Sequence, residues 1–334
     1  MKNMTLLRII PILPFAFAGS VFPAHAQGPS TATQSASTGS VAPSPADTMV
    51  TVSFGGFVDS YYAYDFGRPA NFDRPFTTQA ARHNEFNVNL GYIEAKVSGP
   101  RLRGRLALQA GTSVQSNYAG EPAIGAVSGP SLSRFIQEAV AGYQIKPSLW
   151  IDGGIFFSHI GEEGFISRDN LTYTRSLSAD FTPYYESGVK LTWQATSKLT
   201  ALVTVVNGWQ NISENNQDKA VGARFDYARS PSTTLSYYDF IGKLQMTPLV
   251  GVSGRVERYQ DPDQVIVATG TPGGFKATTA SLGVDVSPNG PTRVLWRNEL
   301  RGTWAGDPVF PDRSAATGTS TGNALLVTSL ALTF

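Results

Sequence analysis

Residues 324–334 read Ala-Leu-Leu-Val-Thr-Ser-Leu-Ala-Leu-Thr-Phe and form the last stretch of the chain. Side chains alternate between two faces along a β-strand, so every second residue lies on the same side. One side of this stretch is almost wholly apolar and carries Ala324, Leu326, Thr328, Leu330, Leu332 and Phe334. A last strand that ends on an aromatic residue is typical of bacterial outer-membrane β-barrels, in which it closes against the first strand. We therefore predict that Phe334 is the residue that closes such a barrel.

The same alternation recurs between residue 49 and this last stretch. In the first segment, one side carries Val50, Val52, Phe54, Val58, Tyr62 and Tyr64. Tight turns such as Ser98-Gly99-Pro100 alternate with long polar connections such as Gly67–His83. Short periplasmic turns and long outer loops are typical of outer-membrane barrels. The sequence thus predicts an all-β fold, a transmembrane antiparallel up-and-down β-barrel, over residues 49–334.

The strand count depends on one short segment. The turns at Ser230-Pro231 and Thr247-Pro248 both look periplasmic, so Ser232–Met246 must hold a rising and a descending strand. We predict a rise over Thr233–Ile241 and a short descent over Lys243–Met246, which gives about 14 strands. The alternative is a sixteen-stranded parent that has lost one hairpin.

The first 48 residues predict export. A short positive region is followed by an apolar stretch, and Ala24-His25-Ala26 has the small residues that a signal peptidase requires. We predict a signal peptide over residues 1–26 with cleavage near Ala26. Residues 27–48 are rich in Ser, Thr, Ala, Gly and Pro and predict a disordered periplasmic leader. The mature chain would then reach the cell outer membrane through the periplasm.

Composition narrows the function classes. Charged residues make up 15% of the chain, against about 25% in typical soluble domains. The net charge of +1 gives no reason to expect a nucleic-acid partner. The chain has no Cys and no paired-cysteine metal motif, and we predict neither a metal nor a cofactor.

Five stretches carry a likeness to known proteins: residues 56–65 (GFVDSYYAYD), 82–87 (RHNEFN), 153–161 (GGIFFSHIG), 207–210 (NGWQ) and 254–259 (GRVERY). They resemble the β-barrel porin-2 (OmpL-like) family of outer-membrane proteins. The resemblance covers most of residues 50–334 and implies a porin, but it carries over no catalytic residue.

The polar side of the strands predicts the lining of a water-filled lumen, because a barrel of this size is wider than its own side chains can fill. The candidate pore-lining residues are Arg103, Arg105, Glu186, Lys190, Arg224, Asp226, Arg255, Glu257, Asp285, Arg293, Arg297, Glu299 and Arg301. For any one of them, mutual ion pairing is an equally good interpretation. Arginines on the third and penultimate strands could form a basic wall, and from it we predict a mild preference for small anions.

Two local features remain open in the sequence. The connection Gly161–Asp180 contains Arg168, Asp169 and Arg175 and is a candidate constriction loop, but an external loop fits its composition equally well. The alternation slips near Gly91-Tyr92, and a β-bulge there would keep the nearby charges inside the barrel.

The function predicted is passive diffusion of small hydrophilic solutes and ions through the barrel. One alternative is a structural or adhesin barrel without conductance. Another is an outer-membrane hydrolase that uses His83 or His159, although no Gly-x-Ser-x-Gly or His-Glu-x-x-His motif is present. The partners predicted are outer-membrane lipid and lipopolysaccharide, the barrel-assembly machinery through the last strand, and further copies of the chain in a homo-oligomer.

Overall fold

The computed structural model of the chain describes residues 49–227, 239–288 and 293–334. The predicted signal peptide and leader lie outside these residues. Within them the strands are β1 Thr51–Asp65, β2 Phe86–Ser98, β3 Leu102–Ala110, β4 Ile136–Lys146, β5 Leu149–Phe157, β6 Tyr185–Gln194, β7 Leu199–Val206, β8 Ala220–Tyr227, β9 Asp239–Gln245, β10 Val250–Asp261, β11 Phe275–Val286, β12 Val294–Ala305, β13 Phe310–Pro311, β14 Thr319–Ser320 and β15 Gly322–Thr333.

Within the described ranges, helical structure is confined to the long connections. The helices are α1 Thr112–Asn117, α2 Pro130–Ser133 and α3 Leu177–Asp180, with a 3₁₀ helix at Ser167–Asp169. In the part of the chain that the structure describes, none of the helices has the length and apolar content needed to cross a membrane.

Among the described residues, thirteen strands form one antiparallel sheet in the order β8-β7-β6-β5-β4-β3-β2-β1-β15-β12-β11-β10-β9, and β13 and β14 form a small hairpin. β1 pairs with β15 from Phe57 opposite Thr333 to Asp65 opposite Leu325. Phe334 extends this pairing, because its N–H donates to the Gly56 carbonyl oxygen and its own carbonyl oxygen accepts from the Gly56 N–H. The predicted pairing of the last strand with the first is confirmed.

The edges of the described sheet are β8 and β9. Direction alternates along an antiparallel sheet, so these two strands, the first and thirteenth of the described sheet, run the same way. The descending strand begins at Asp239 and not at Lys243, because Asp239 pairs with Glu257 and Ile241 with Arg255. The predicted rise over Thr233–Ile241 was therefore wrong at its end, and the rest of it lies outside the described residues.

The two faces of the sheet differ as predicted for a barrel in a lipid bilayer. Large apolar side chains such as Phe54, Leu106 and Leu330 are exposed on one face. Charged side chains such as Arg297 and Glu299 are buried on the other. Apolar surface outside and polar surface inside is the reverse of a water-soluble protein. The fold is a transmembrane, antiparallel, up-and-down β-barrel.

A β-bulge lies in β2, close to the predicted slip. Asp59 pairs with Leu90, whereas Ser60 pairs with Val88, so Asn89 is the extra residue. The bulge brings Glu94 to the inner face, where it forms an ion pair with Arg105. A bulge reverses the alternation of a strand without breaking the sheet, which is why the sequence pattern slipped here.

Candidate functional site

The connection between β5 and β6, residues 158–184, crosses the interior of the barrel; we call it the inward loop. Its main anchor is Arg297 on β12, whose guanidinium donates to the carbonyl oxygens of Ser167 (2.6 Å), Asn170 (2.8 Å) and Leu171 (2.9 Å). The same guanidinium donates to Asp285 at 3.0 Å. Because β4, β3, β2, β1 and β15 lie between β5 and β12 in the sheet, the loop reaches the opposite wall.

Two more arginines of that wall hold the part of the loop that follows its tip. Arg255 donates to the Thr174 carbonyl oxygen at 2.7 Å and Arg301 to the Arg175 carbonyl oxygen at 2.8 Å. The carboxylate of Glu299 accepts both the N–H and the hydroxyl of Thr174, at 2.7 and 2.6 Å. All these groups are buried. Charge-assisted hydrogen bonds of this kind are roughly twice as strong as neutral ones, so the contact fixes the loop.

The tip of the inward loop reaches far down the barrel. Ser167 and Tyr173 donate to the buried carboxylate of Asp59 at 2.6 and 3.2 Å. Arg168 donates to the hydroxyl of Thr333. Thr333 is the last residue of β15 and lies on the side of the barrel where short turns join the strands. The loop therefore fills the part of the lumen beside β1, β12, β11 and β10. The direction of this connection, which the sequence left open, is inward.

The three candidate constriction residues have different surroundings. Arg168 and Asp169 lie in the 3₁₀ helix at the tip of the loop. Arg175 is fully buried and lies between the rings of Phe165 and Tyr184, at 5.3 and 4.0 Å from their centroids. Its guanidinium also donates to the Phe165 carbonyl oxygen, so Arg175 holds the loop together and does not face solvent.

In the wall formed by β3–β6, charged side chains form ion pairs with one another, whereas those of the opposite wall bind the inward loop. Arg103 forms a bidentate ion pair with Asp152, with Nε to Oδ1 at 2.6 Å, and lies over the Trp150 ring. The Arg103 side chain is 28% exposed, whereas that of Asp152 is 4% exposed. The carboxylate lies in the wall and the guanidinium covers it toward the lumen. Arg105 likewise pairs with Glu94 and Glu138.

Gly142 makes the Arg103–Asp152 pair possible. It lies between them in the sheet, opposite Arg103 on β3 and opposite Asp152 on β5. A Cβ atom at Gly142 would come within 2.1 Å of the Asp152 carboxylate and 2.9 Å of Arg103 Cγ. Sequence reasoning missed this residue, because a glycine on the polar side of a strand gives no sign of which side chains meet above it.

The other predicted lining residues are spread around the interior. Glu186 is buried and contacts Ser158 and His159, and Arg224 pairs with Asp226 and Glu162. Lys190 lies over the Phe156 ring. Glu257 accepts from Arg301 and from the Leu177 N–H. Arg293 is exposed in the turn before β12.

The predicted basic wall does not form one surface, because Arg297 and Arg301 bind the inward loop whereas Arg103 and Arg105 face the lumen beside their own carboxylates.

Neither His83 nor His159 has the surroundings of a catalytic base among the residues that the structure describes. His159 Nδ1 contacts both oxygens of Glu186, at 2.9 and 3.0 Å, but Ser158 donates to Glu186 and not to the imidazole. In a serine hydrolase, the serine hydroxyl is hydrogen-bonded to the imidazole nitrogen that does not contact the carboxylate. A Cβ at Gly222 would come within 2.1 Å of His159 Nε2, so this nitrogen faces the β8 backbone.

His83 belongs to the β1–β2 loop and predicts a pH effect. Its Nδ1 accepts from the Asp65 N–H at 2.9 Å, which requires a neutral ring, and burial lowers the pKa of His83. Its contribution to loop stability is complete above its unfolded pKa of about 6.5 and is lost as the pH falls toward the lowered pKa. Hydrogen exchange in residues 66–85, corrected for intrinsic rates, should be faster at pH 5 than at pH 7.5. In His83→Gln this pH dependence should disappear; if it persists, another group is responsible.

The barrel, its inward loop and its polar interior can be compared with known proteins. The family model described as "Putative beta-barrel porin-2, OmpL-like" matches residues 51–245 and 243–334. The chain belongs to this porin family. It is therefore an outer-membrane porin that gives passive diffusion of small hydrophilic solutes and ions. A comparison with curated protein sequences finds no significant match.

Solved structures of outer-membrane channels match the chain over most of its length, at low sequence identity and with TM-scores below 0.5. An anion-selective porin from Comamonas acidovorans is 10% identical over 86% of this chain and 100% of its own, with a TM-score of 0.37. The outer-membrane channel DcaP of Acinetobacter baumannii is 11% identical over 87% of this chain and 99% of its own, with a TM-score of 0.40. OpdO of Pseudomonas aeruginosa is 11% identical over 85% and 96%, with a TM-score of 0.39.

Proposed function

We propose that solutes pass between the inward loop and the wall formed by β3–β8. The opposite wall is covered, because Arg255, Arg297 and Glu299 are buried against the loop. On the β3–β8 wall, the side chains of Arg103 and Arg224 remain 28% and 21% exposed. The exposed charges that meet a solute are therefore those of the β3–β8 wall together with Lys243 on β9, whose side chain is 24% exposed.

We further propose a mild preference for small anions, as the sequence predicted but with a different set of residues. The observation that carries it is the uneven exposure of Arg103 and Asp152, since the exposed partner is the cation. A solute passing the pair is closer to the guanidinium than to the carboxylate, and the pair acts on it as a partial positive charge. The Arg224–Asp226 pair does not contribute in this way, because its carboxylate is the more exposed partner, at 42% against 21%.

Reversal potentials in planar bilayers test this selectivity. With a KCl gradient across the purified protein, we expect a greater permeability to chloride than to potassium. Raising the ionic strength should reduce the preference, because salt screens exposed charges. Equal permeabilities at low salt would contradict the proposal, and absence of conductance would contradict passive diffusion itself.

Gly142→Ala should reduce the anion preference. The new methyl group would occupy the position of the Asp152 carboxylate and separate it from Arg103, so that the carboxylate moves toward the lumen. We expect the chloride-to-potassium permeability ratio to fall roughly twofold, which corresponds to a fraction of a kcal/mol. Gly153→Ala on β5 is the matched control, because its Cβ would meet nothing closer than 4.0 Å. An unchanged ratio in Gly142→Ala would show that this ion pair does not set selectivity.

The route to the membrane is also part of the proposal. We infer a signal peptide over residues 1–26 and a mature chain that begins at Gln27 with a periplasmic leader over residues 27–48; the mass of the N-terminal peptide of the purified protein tests this. We further infer recognition of β15 by the barrel-assembly machinery, contact with lipopolysaccharide around the apolar belt, and assembly with further copies of the chain. We infer no enzymatic activity.

A further inference from the structure

A groove lies on the lipid-facing side of the barrel, close to its short turns. It has a volume of about 320 Å³, a size typical of ligand-binding clefts. It is lined by Leu191 and Trp193 of β6, by Ala201 and Val203 of β7 and, at the end toward the β4–β5 turn, by Lys146 and Ser148. We call it the Lys146 groove. A positive charge therefore lies at one end of a cleft that is otherwise mostly apolar.

The charge of Lys146 is not balanced by a carboxylate. Lys146 is exposed, and among the described residues no carboxylate oxygen lies within ion-pair distance of its ammonium group, whereas Arg103 and Arg105 of the same wall have such partners. Arg101 in the β2–β3 turn and Lys198 in the β6–β7 turn are also exposed. None of these three neighbouring turns contains an acidic residue. This part of the barrel rim therefore favours an anion.

The Lys146 groove lies at the depth where lipid headgroups meet the hydrocarbon core. Trp193 is exposed on the outer face next to the turns, and Leu191 and Val203 are exposed on the same face farther from them. Trp is enriched at the interfaces of a bilayer, and the apolar band of a barrel faces the hydrocarbon. The short turns of a barrel face the periplasm, and the periplasmic leaflet of the outer membrane consists of phospholipid. A cation beside an exposed apolar groove matches the headgroup and acyl chain of such a lipid.

We propose that the Lys146 groove binds an anionic phospholipid of the periplasmic leaflet. The Lys146 ammonium and the Ser148 hydroxyl supply donors for the headgroup phosphate, and one acyl chain follows the apolar part of the groove. Ala201 leaves room for the chain, because it has only a methyl group opposite the Trp193 indole. The basic turns on both sides favour a lipid with a net negative charge over a zwitterionic one. The site lies outside the lumen, so it does not depend on the proposed passage.

Native mass spectrometry of the protein released from detergent micelles tests the site. The delipidated protein is titrated with phosphatidylglycerol and, separately, with phosphatidylcholine of the same acyl chains. We expect one phosphatidylglycerol to bind each barrel at concentrations at which phosphatidylcholine does not bind. Lys146→Met should raise the dissociation constant for phosphatidylglycerol about tenfold, the size of one lost charge-assisted hydrogen bond. Ala201→Leu keeps every charge but fills the groove, so the bound lipid should be lost.

Lys198→Met is the matched control, because it removes the same charge from the next turn at a residue that does not line the groove. Its dissociation constant should equal that of the wild type. Equal shifts in Lys146→Met and Lys198→Met would indicate a general field of the basic turns and overturn the site, as would equal affinities for the two lipids. Preferential binding of lipopolysaccharide, or a dimer that Ala201→Leu dissociates, would assign the groove to another occupant and also overturn the proposal.

Discussion

Arg297→Met should release the inward loop and increase the conductance of the channel severalfold. Three carbonyl oxygens of the loop, those of Ser167, Asn170 and Leu171, accept hydrogen bonds from this one guanidinium. Removal of a partner from a buried, charged network costs about 3–5 kcal/mol, because the remaining groups stay desolvated and unpaired. Methionine fills a similar volume without donating. We therefore expect the tip of the loop to leave the wall and the lumen to widen.

Single-channel conductance and exclusion of neutral polymers of increasing size measure the change. The variant should admit larger polymers than the wild type and show more current noise. Arg258→Met is the control: Arg258 lies on β10, which β11 separates from β12, but it is exposed on the lipid side and donates to Thr278 at 3.1 Å. Heat-dependent migration on denaturing gels confirms that each barrel is folded. Wild-type conductance and polymer exclusion in a folded Arg297→Met barrel would show that the loop is held without this residue.

The features that the sequence predicted well depend on neighbouring residues. Alternation along β1 and β15 assigns each side chain to a face, because successive residues of a strand point to opposite sides. The pairing of Tyr61 with Ser329 then follows from closure of the sheet. The slip in β2 was also visible in the local sequence, because the bulge at Asn89 moves the residues after it to the opposite face of the sheet.

The direction of the inward loop could not be predicted in this way. It depends on contacts between distant residues, such as Ser167 with Asp59 and Thr174 with Glu299. The composition of the loop is that of an ordinary polar connection, and its own residues do not indicate whether water or the opposite wall satisfies its carbonyl groups. Contacts of the loop with distant residues also explain why the predicted basic wall does not form one surface. Alternation placed Arg297 on the inner face, but it could not show that the loop would occupy its guanidinium.

Gly56→Leu should prevent stable closure of the barrel. The Phe334 ring lies against Gly56, and a Cβ there would be 2.5 Å from Cζ of that ring. A leucine would displace the ring and with it the two hydrogen bonds between Gly56 and Phe334, at 2.9 and 3.1 Å. Each backbone group left unpaired in the bilayer costs several kcal/mol, so the seam between β1 and β15 would open from this end. We expect most of the protein to lose the folded, heat-modifiable form after refolding into detergent micelles.

Gly254→Leu on β10 is the matched control for this seam. Gly254 has the same outward orientation as Gly56, but the nearest atom to its Cβ would be a carbonyl oxygen at 3.8 Å, so a leucine can extend into the lipid. That variant should refold like the wild type. Phe334→Ala, combined with Gly56→Leu, removes the collision and should restore part of the folded fraction if the ring is its cause. A fully folded Gly56→Leu barrel, or no recovery in the double variant, would mean that closure does not depend on this contact.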